Sequence, residues 1–204
     1  MAENGHRKVG CVIMASGLGK RFGRNKLLEP FRGRSLIQRV LELTEEEAAG
    51  CLFDRRIVVT RSEEVRELCE RQNVEVLFHQ MPDRSDAVRL GISAMEEMDG
   101  CLFCPCDQPL LQRESIQRIV WRFREKGTGI LRLAWKEQQG APVLFGREYF
   151  EELKCLPKGR GGSYLVKRYP DQVETVSAQW EAELYDCDTQ EDLARLLRMS
   201  EEIE

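Results

Sequence analysis

KVGCVIMASGLGKRFGRNK, residues 8–26, decides the fold. Lys8–Met14 is a short, almost uninterrupted apolar run, the pattern of a strand buried on both faces, and it empties into a loop containing Gly17, Gly19 and Gly23. Glycines there let the main chain come close enough to phosphate oxygens for N–H donation, and Lys20, Arg21, Arg24 and Lys26 set cations beside them. A polyphosphate is the natural complement. The spacing is neither G-x-G-x-x-G nor the P-loop, because Phe22 stands three residues after Gly19 and no Gly-Lys-Ser/Thr follows. A solvated surface turn is the plainer alternative.

Outward from this stretch, apolar runs alternate with amphipathic segments. Strands are expected at 56–60, 74–78, 100–104, 129–135, 141–145 and 172–176. Helices are expected at 35–49, 62–72, 85–98, 114–125, 147–153, 161–169 and 189–198. Strand–helix alternation is the signature of a parallel sheet covered on both sides. The expected fold class is therefore α/β, a three-layer α/β/α Rossmann-like domain with a mostly parallel sheet and ligands at the carboxyl ends of the strands. No repeat or linker divides residues 1–204, so one domain is expected.

The composition agrees. The chain has 204 residues, 42% hydrophobic and 32% charged, which excludes a disordered or collagen-like protein. A formal charge of −4 argues against a sequence-independent nucleic-acid binder. The first apolar run, Val9–Ala15, is too short to span a bilayer and precedes no cleavage-site pattern, so a cytoplasmic protein with no membrane partner is expected. Eight cysteines without an export signal read as reduced thiols. Cys101, Cys104 and Cys106 have metal-like spacing but no evident fourth ligand, and are read as core residues.

Two acidic landmarks complete the pattern. Asp107, in Cys106-Asp107-Gln108-Pro109, follows a buried strand and faces the crevice beside the first loop, where it would hold Mg²⁺ against phosphates. Asp186 and Asp188 precede the last helix, and a structural reading makes Asp188 an N-cap with Glu191 closing a capping box.

Taken together these residues resemble a known family. Residues 12–28 are similar to the signature loop of the nucleotidyltransferases that act on molybdenum cofactor, and to the wider group of sugar-nucleotide pyrophosphorylases. CDQP at 106–109 resembles the family's Gly-Asp-x-Pro magnesium motif, GAPVLFGREYFEEL at 140–153 its Gly-x-Pro-Val-Leu-Phe segment, and DCDTQEDL at 186–193 its closing motif. Ala15-Ser16-Gly17 and Lys26-Leu27-Leu28 are closer to the branch that attaches CMP to molybdopterin than to the guanylyl branch.

The resemblance implies a nucleotidyltransferase that moves CMP from CTP to the phosphate of molybdopterin with Mg²⁺ (or Mn²⁺), releasing pyrophosphate. It implies a nucleotide site at Ala15, Ser16, Gly17, Leu18, Gly19, Lys20, Arg21, Lys26, Ser85 and Asp107. Arg21, Lys26 and Asp107 would be catalytic, and Asp107 with Asp188 or Asp186 would bind the metal. Residues 9–110 would form the nucleotide half and 111–200 the acceptor half, with a molybdoenzyme or maturation protein as a further partner. A phosphate nucleophile is already ionised at pH 7, so the chemistry needs no dedicated base and agrees with a chain holding only His6 and His79.

Three departures stand out. Cys106 replaces a glycine where the backbone nears the nucleotide. Residues 83–91 keep Ser85 and Gly91 but lose a glycine and a serine. In 159–164, Arg160 replaces an aspartate and Tyr164 an arginine. Three other readings therefore stay open: guanylyl transfer in the same cofactor pathway, a sugar-phosphate or methylerythritol-phosphate acceptor, and a non-catalytic nucleotide-binding maturation partner.

Overall fold

The computed structural model describes residues 6–17, 22–45 and 52–201. Its first strand, β1 (Val9–Ala15), sits inside the sheet, and its side chains alternate strictly between two cores. Val9, Cys11, Ile13 and Ala15 face one apolar layer, while Val12 and Met14 face the other. After β1 come a two-residue hairpin of β2 (Pro30–Phe31) and β3 (Arg34–Ser35), then α1 (Leu36–Leu43), β4 (Arg55–Thr60), α2 (Glu63–Arg71), β5 (Glu75–Phe78) and α3 (Arg84–Ser93). The chain continues through β6 (Gly100–Pro105), α4 (Arg113–Lys126), β7 (Ile130–Trp135), β8 (Gln138–Gly146), α5 (Phe150–Lys154), α6 (Ser163–Arg168), β9 (Val173–Ser177) and α7 (Gln190–Glu201).

The main sheet runs β5-β4-β1-β6-β8-β7-β9. Every pairing is parallel except those of β8, which lies antiparallel between β6 and β7. β8 follows β7 through a tight turn in which Lys136 adopts a φ of 52°, and a hairpin connection must reverse direction. α1, α2 and α4 pack on one face, and α3, α5 and α6 on the other, giving the expected three layers.

Close approach of helix to sheet depends on small residues at particular points. A Cβ on Gly100 would stand 2.5 Å from two ring atoms of the fully buried Phe123, so β6 can lie under α4 only without a side chain there. A third cluster at the carboxyl end of the sheet joins Phe22, Phe31 and Leu36 to Leu110, Cys187 and two leucines of α7. It clamps the segment after the glycine loop against the last helix.

The structure amends the sequence reading at several points, among them the end of α3, which stops at Ser93 rather than 98. The β2–β3 hairpin was not expected; it turns at Arg32 and Gly33, both at positive φ (52° and 80°), a two-residue turn in which only the glycine is typical. α1 ends at Leu43 rather than 49, and residues 46–51 lie outside the described part. The capping box of α7 is made by Thr189 and Asp192, which exchange hydrogen bonds of 3.1 and 3.0 Å, and not by Asp188 and Glu191. Asp188 instead accepts from the Lys26 ammonium (2.7 Å). Among the described residues no helix is long and apolar enough to cross a membrane.

Gly100→Ala should overpack the β6–α4 contact at a cost of about 1–3 kcal/mol, lowering Tm by roughly 3–10 °C in a thermal melt. An unchanged Tm would show that α4 can move away from the sheet.

Candidate active site

The carboxyl ends of β1, β4 and β6 open into a cleft of about 370 Å³, floored by Met14 and Pro105. Lys26 reaches it from a single 3-10 turn, 26–28. Asn25 holds that turn by accepting from the Leu27 N–H (3.2 Å) and donating to Ser62 (2.9 Å). The lysine is only 8% exposed. Its ammonium lies 2.9 Å from Asp107 Oδ2 and 2.7 Å from Asp188 Oδ1, which come from chain segments 81 and 162 residues away. Burial pulls its pKa down, but the charges and hydrogen bonds of Asp107 and Asp188 prevail and hold it above the ordinary lysine value.

The main chain sets the spacing of the two carboxylates. Cys187 N–H donates to the Asp107 carbonyl (2.7 Å), so the segment carrying Asp186 and Asp188 runs against the end of β6. Asp186 lines an adjoining lobe and accepts from Gln108 Nε2 (3.0 Å). Its pKa is raised by burial first and by Asp107 second, so it keeps a proton more readily than an ordinary aspartate. Cys106 turns into the apolar core instead of the cleft, where burial drives its thiol pKa up. The side chain at this position therefore does not narrow the cleft. Cys101 and Cys104 are likewise fully buried.

Of the residues expected at the nucleotide, Ser16 and Gly17 line the cleft with Lys26, Asp107 and Asp188. Ala15 ends β1 fully packed, its carbonyl taken by the Thr60 hydroxyl (3.0 Å). Leu18, Gly19, Lys20 and Arg21 lie outside the described residues. Arg24 is turned to the buried Glu29, which it meets at 2.6 Å, and so is removed from the set of loop cations. Ser85 is not part of the cleft wall; its hydroxyl accepts from Gly159 N–H (3.3 Å) and ties α3 to the second glycine loop. In that loop Arg160 is exposed to solvent, while Gly161 packs against the Arg84 side chain.

Three residues in or behind this wall escape the sequence reading. Arg61, just beyond β4, donates to the Ser16 carbonyl (3.1 Å) and to the Met81 carbonyl (3.3 Å), bracing loop against loop. Arg84 lines both lobes. The signal for both is position, since each opens a segment at the carboxyl edge of the sheet. His79 gives no such signal. It is buried, with Nε2 2.9 Å from Ser16 Oγ, which itself donates to the Val59 carbonyl (3.0 Å). The hydroxyl is thus the acceptor, and the imidazole donates through Nε2.

An ion-paired lysine between two carboxylates, beside Ser16 and Gly17 at the switch point of a mostly parallel sheet, suits an enzyme that must grip a charged polyphosphate while its bonds rearrange. The class is that of the nucleotidyltransferases. The family described as the MobA-like NTP transferase domain matches residues 11–173, and the chain belongs to that family. A "probable molybdenum cofactor guanylyltransferase" of Thermococcus gammatolerans is 26% identical over 201 residues, spanning 91% of this chain and 97% of that one. Among solved structures, Rv0371c of Mycobacterium tuberculosis superposes with a TM-score of 0.81 at 24% identity, covering 94% of this chain and 98% of the other. That protein has also been solved in complex with manganese. The molybdopterin-guanine dinucleotide biosynthesis protein A of Archaeoglobus fulgidus superposes at 0.71 with 16% identity, covering 95% and 99%.

Burial, and then Arg61, hold the His79 imidazole below its ordinary pKa. Its folded pKa is lower than the unfolded value of about 6.5, so its contribution is fully present above that pH and is lost as the pH falls through the folded pKa. The Tm of the wild type should therefore fall between pH 7.5 and 5 by more than that of His79→Gln. Parallel curves for the two proteins would remove His79 from the acid response.

Proposed function

We propose that the chain transfers a nucleoside monophosphate from a nucleoside triphosphate to the phosphate of molybdopterin, releasing pyrophosphate. The observation that carries this reading is the Lys26 ammonium shared by Asp107 and Asp188 beside Ser16 and Gly17. The acceptor phosphate attacks the α-phosphorus in line, the bond to the pyrophosphate oxygen breaks, and charge grows on the leaving group. Lys26 neutralises that charge and the main-chain N–H groups of Ser16 and Gly17 hold the phosphates. The family resemblance adds Leu18, Gly19, Lys20 and Arg21, which lie outside the described residues.

A divalent cation fits the donor set. Asp107 and Asp188 offer hard carboxylate oxygens, each side chain 30% exposed. No group of three such ligands meets among the described residues, so phosphate oxygens and water would fill the remaining positions, the usual arrangement for Mg²⁺. The ion, when bound, supplies charge neutralisation of the triphosphate. Asp107 and Asp188 would hold it, with Asp186 alongside rather than in its shell.

For the donor, the Ala15-Ser16-Gly17 and Lys26-Leu27-Leu28 sequences favour CTP. The name of the Thermococcus relative favours GTP as the second reading. We assign residues 9–110 to the donor and 111–200 to much of the acceptor wall.

Pyrophosphate release measured with molybdopterin and each nucleotide should be fastest with CTP and should stop when EDTA removes the metal. Lys26→Ala and Asp107→Ala should each lower kcat at least about a hundredfold while still unfolding cooperatively in a thermal melt, at a lowered Tm because a partly buried ion pair is broken. Wild-type turnover in either variant refutes the assigned roles. Preference for GTP moves the enzyme to the guanylyl branch, and absence of release with every nucleotide leaves a binding protein.

A further inference from the structure

Beyond Asp107 the nucleotide cleft opens into a second lobe of about 600 Å³ that runs across the face of the sheet under α3 and α6. Its floor is one row of the sheet. Phe103 on β6, Val143 on β8 and Arg132 on β7 are in register, so their side chains rise on the same face. Two strand spacings separate the first from the last, about 10 Å. Phe103 is partly exposed and braced edge-on by Phe145, with ring centres 6.0 Å apart. A partly exposed aromatic floor suits a flat ring.

Arg132 is the anomaly. A guanidinium in mid-strand among apolar residues is unusual, and burial holds its pKa below the ordinary arginine value. Its hydrogen bonds go only to uncharged oxygens: Nε (3.1 Å) and Nη2 (3.0 Å) donate to the Gly140 carbonyl, and Nη1 to Gln139 Oε1 (3.1 Å). Those bonds aim the group and leave further N–H donors unmatched. Among the described residues it has no ion pair, whereas Lys26 at the other end of the same cleft has two. A half-buried cation held in place without a counter-charge is the arrangement of a site that receives its anion from a ligand.

From this we infer that Arg132 is a specificity-determining residue of the acceptor lobe, binding an anionic group carried by a flat heteroaromatic acceptor at the end remote from Asp107. The inference deepens the proposed function, on which the identity of the acceptor rests. It predicts an acceptor with a second negative or strongly accepting group beyond the reacting phosphate.

Two pterins test this directly, by fluorescence titration of the full chain saturated with CTP. Pterin-6-carboxylate carries the charge and 6-hydroxymethylpterin does not. The carboxylate should bind wild type and Arg132→Lys, and bind Arg132→Gln at least tenfold more weakly. The neutral pterin should bind all three alike, and the nucleotide Kd and Tm should be unchanged. Equal binding of the carboxylate to wild type and Arg132→Gln overturns the inference, as does no binding to wild type or loss of both pterins together, the last marking a structural role for Arg132. Pyrophosphate release is read separately. Failure of turnover with intact anion selectivity would reject the proposed function alone, and turnover without selectivity would reject the inference alone.

Discussion

Much of the structure can be understood from the cost of burying one ammonium. Lys26 is almost out of solvent, and such a charge is tolerated only when its partners are fixed beforehand. Three distant segments must therefore meet at a point: the turn after β1, the end of β6, and the strand of chain before α7. The sheet order answers this demand by placing β1 directly beside β6. The apolar cluster of Phe22, Phe31, Leu110, Cys187 and α7 answers it by fastening the other two segments to the sheet's edge. The fold brings charges together through contacts that are themselves almost wholly uncharged.

Because those contacts are local and repetitive, most of the architecture is legible in the amino-acid sequence alone. The β-branched run at 56–60 and the stripe Ile116, Ile119, Val120 and Phe123 each report a single periodicity, and each forms the element expected. The reversal of β8 is legible only in the connection and not in the strand's own composition: the five residues between the strands expected at 129–135 and 141–145 are too few for a parallel crossover. The hairpin at 30–35 escapes for a related reason: two-residue strands have no period to detect.

The site is legible where residue type and strand end coincide. Asp107 and Lys26 belong to this class, and they meet. Asp188 is ambiguous because its sequence context fits an N-cap equally well; Thr189 and Asp192 resolve it by capping α7 themselves. Ser85 and Arg24 show the opposite failure. Both have the right chemistry in the right region, yet Ser85 holds a loop and Arg24 neutralises Glu29. His79 and Arg132 fall outside sequence reasoning altogether, since their meaning lies in a neighbour across the fold or in the lack of an ion-pair partner among the described residues.

The bond from Cys187 N–H to the Asp107 carbonyl separates two kinds of wall within one cleft. The end at Lys26 is registered by backbone, which substitutions leave in place. The second lobe is shaped by side chains such as Phe103, Val143 and Arg132, each replaceable on its own. A lineage carrying this fold can thus reshape the second lobe by point changes while the charge-handling centre is inherited intact.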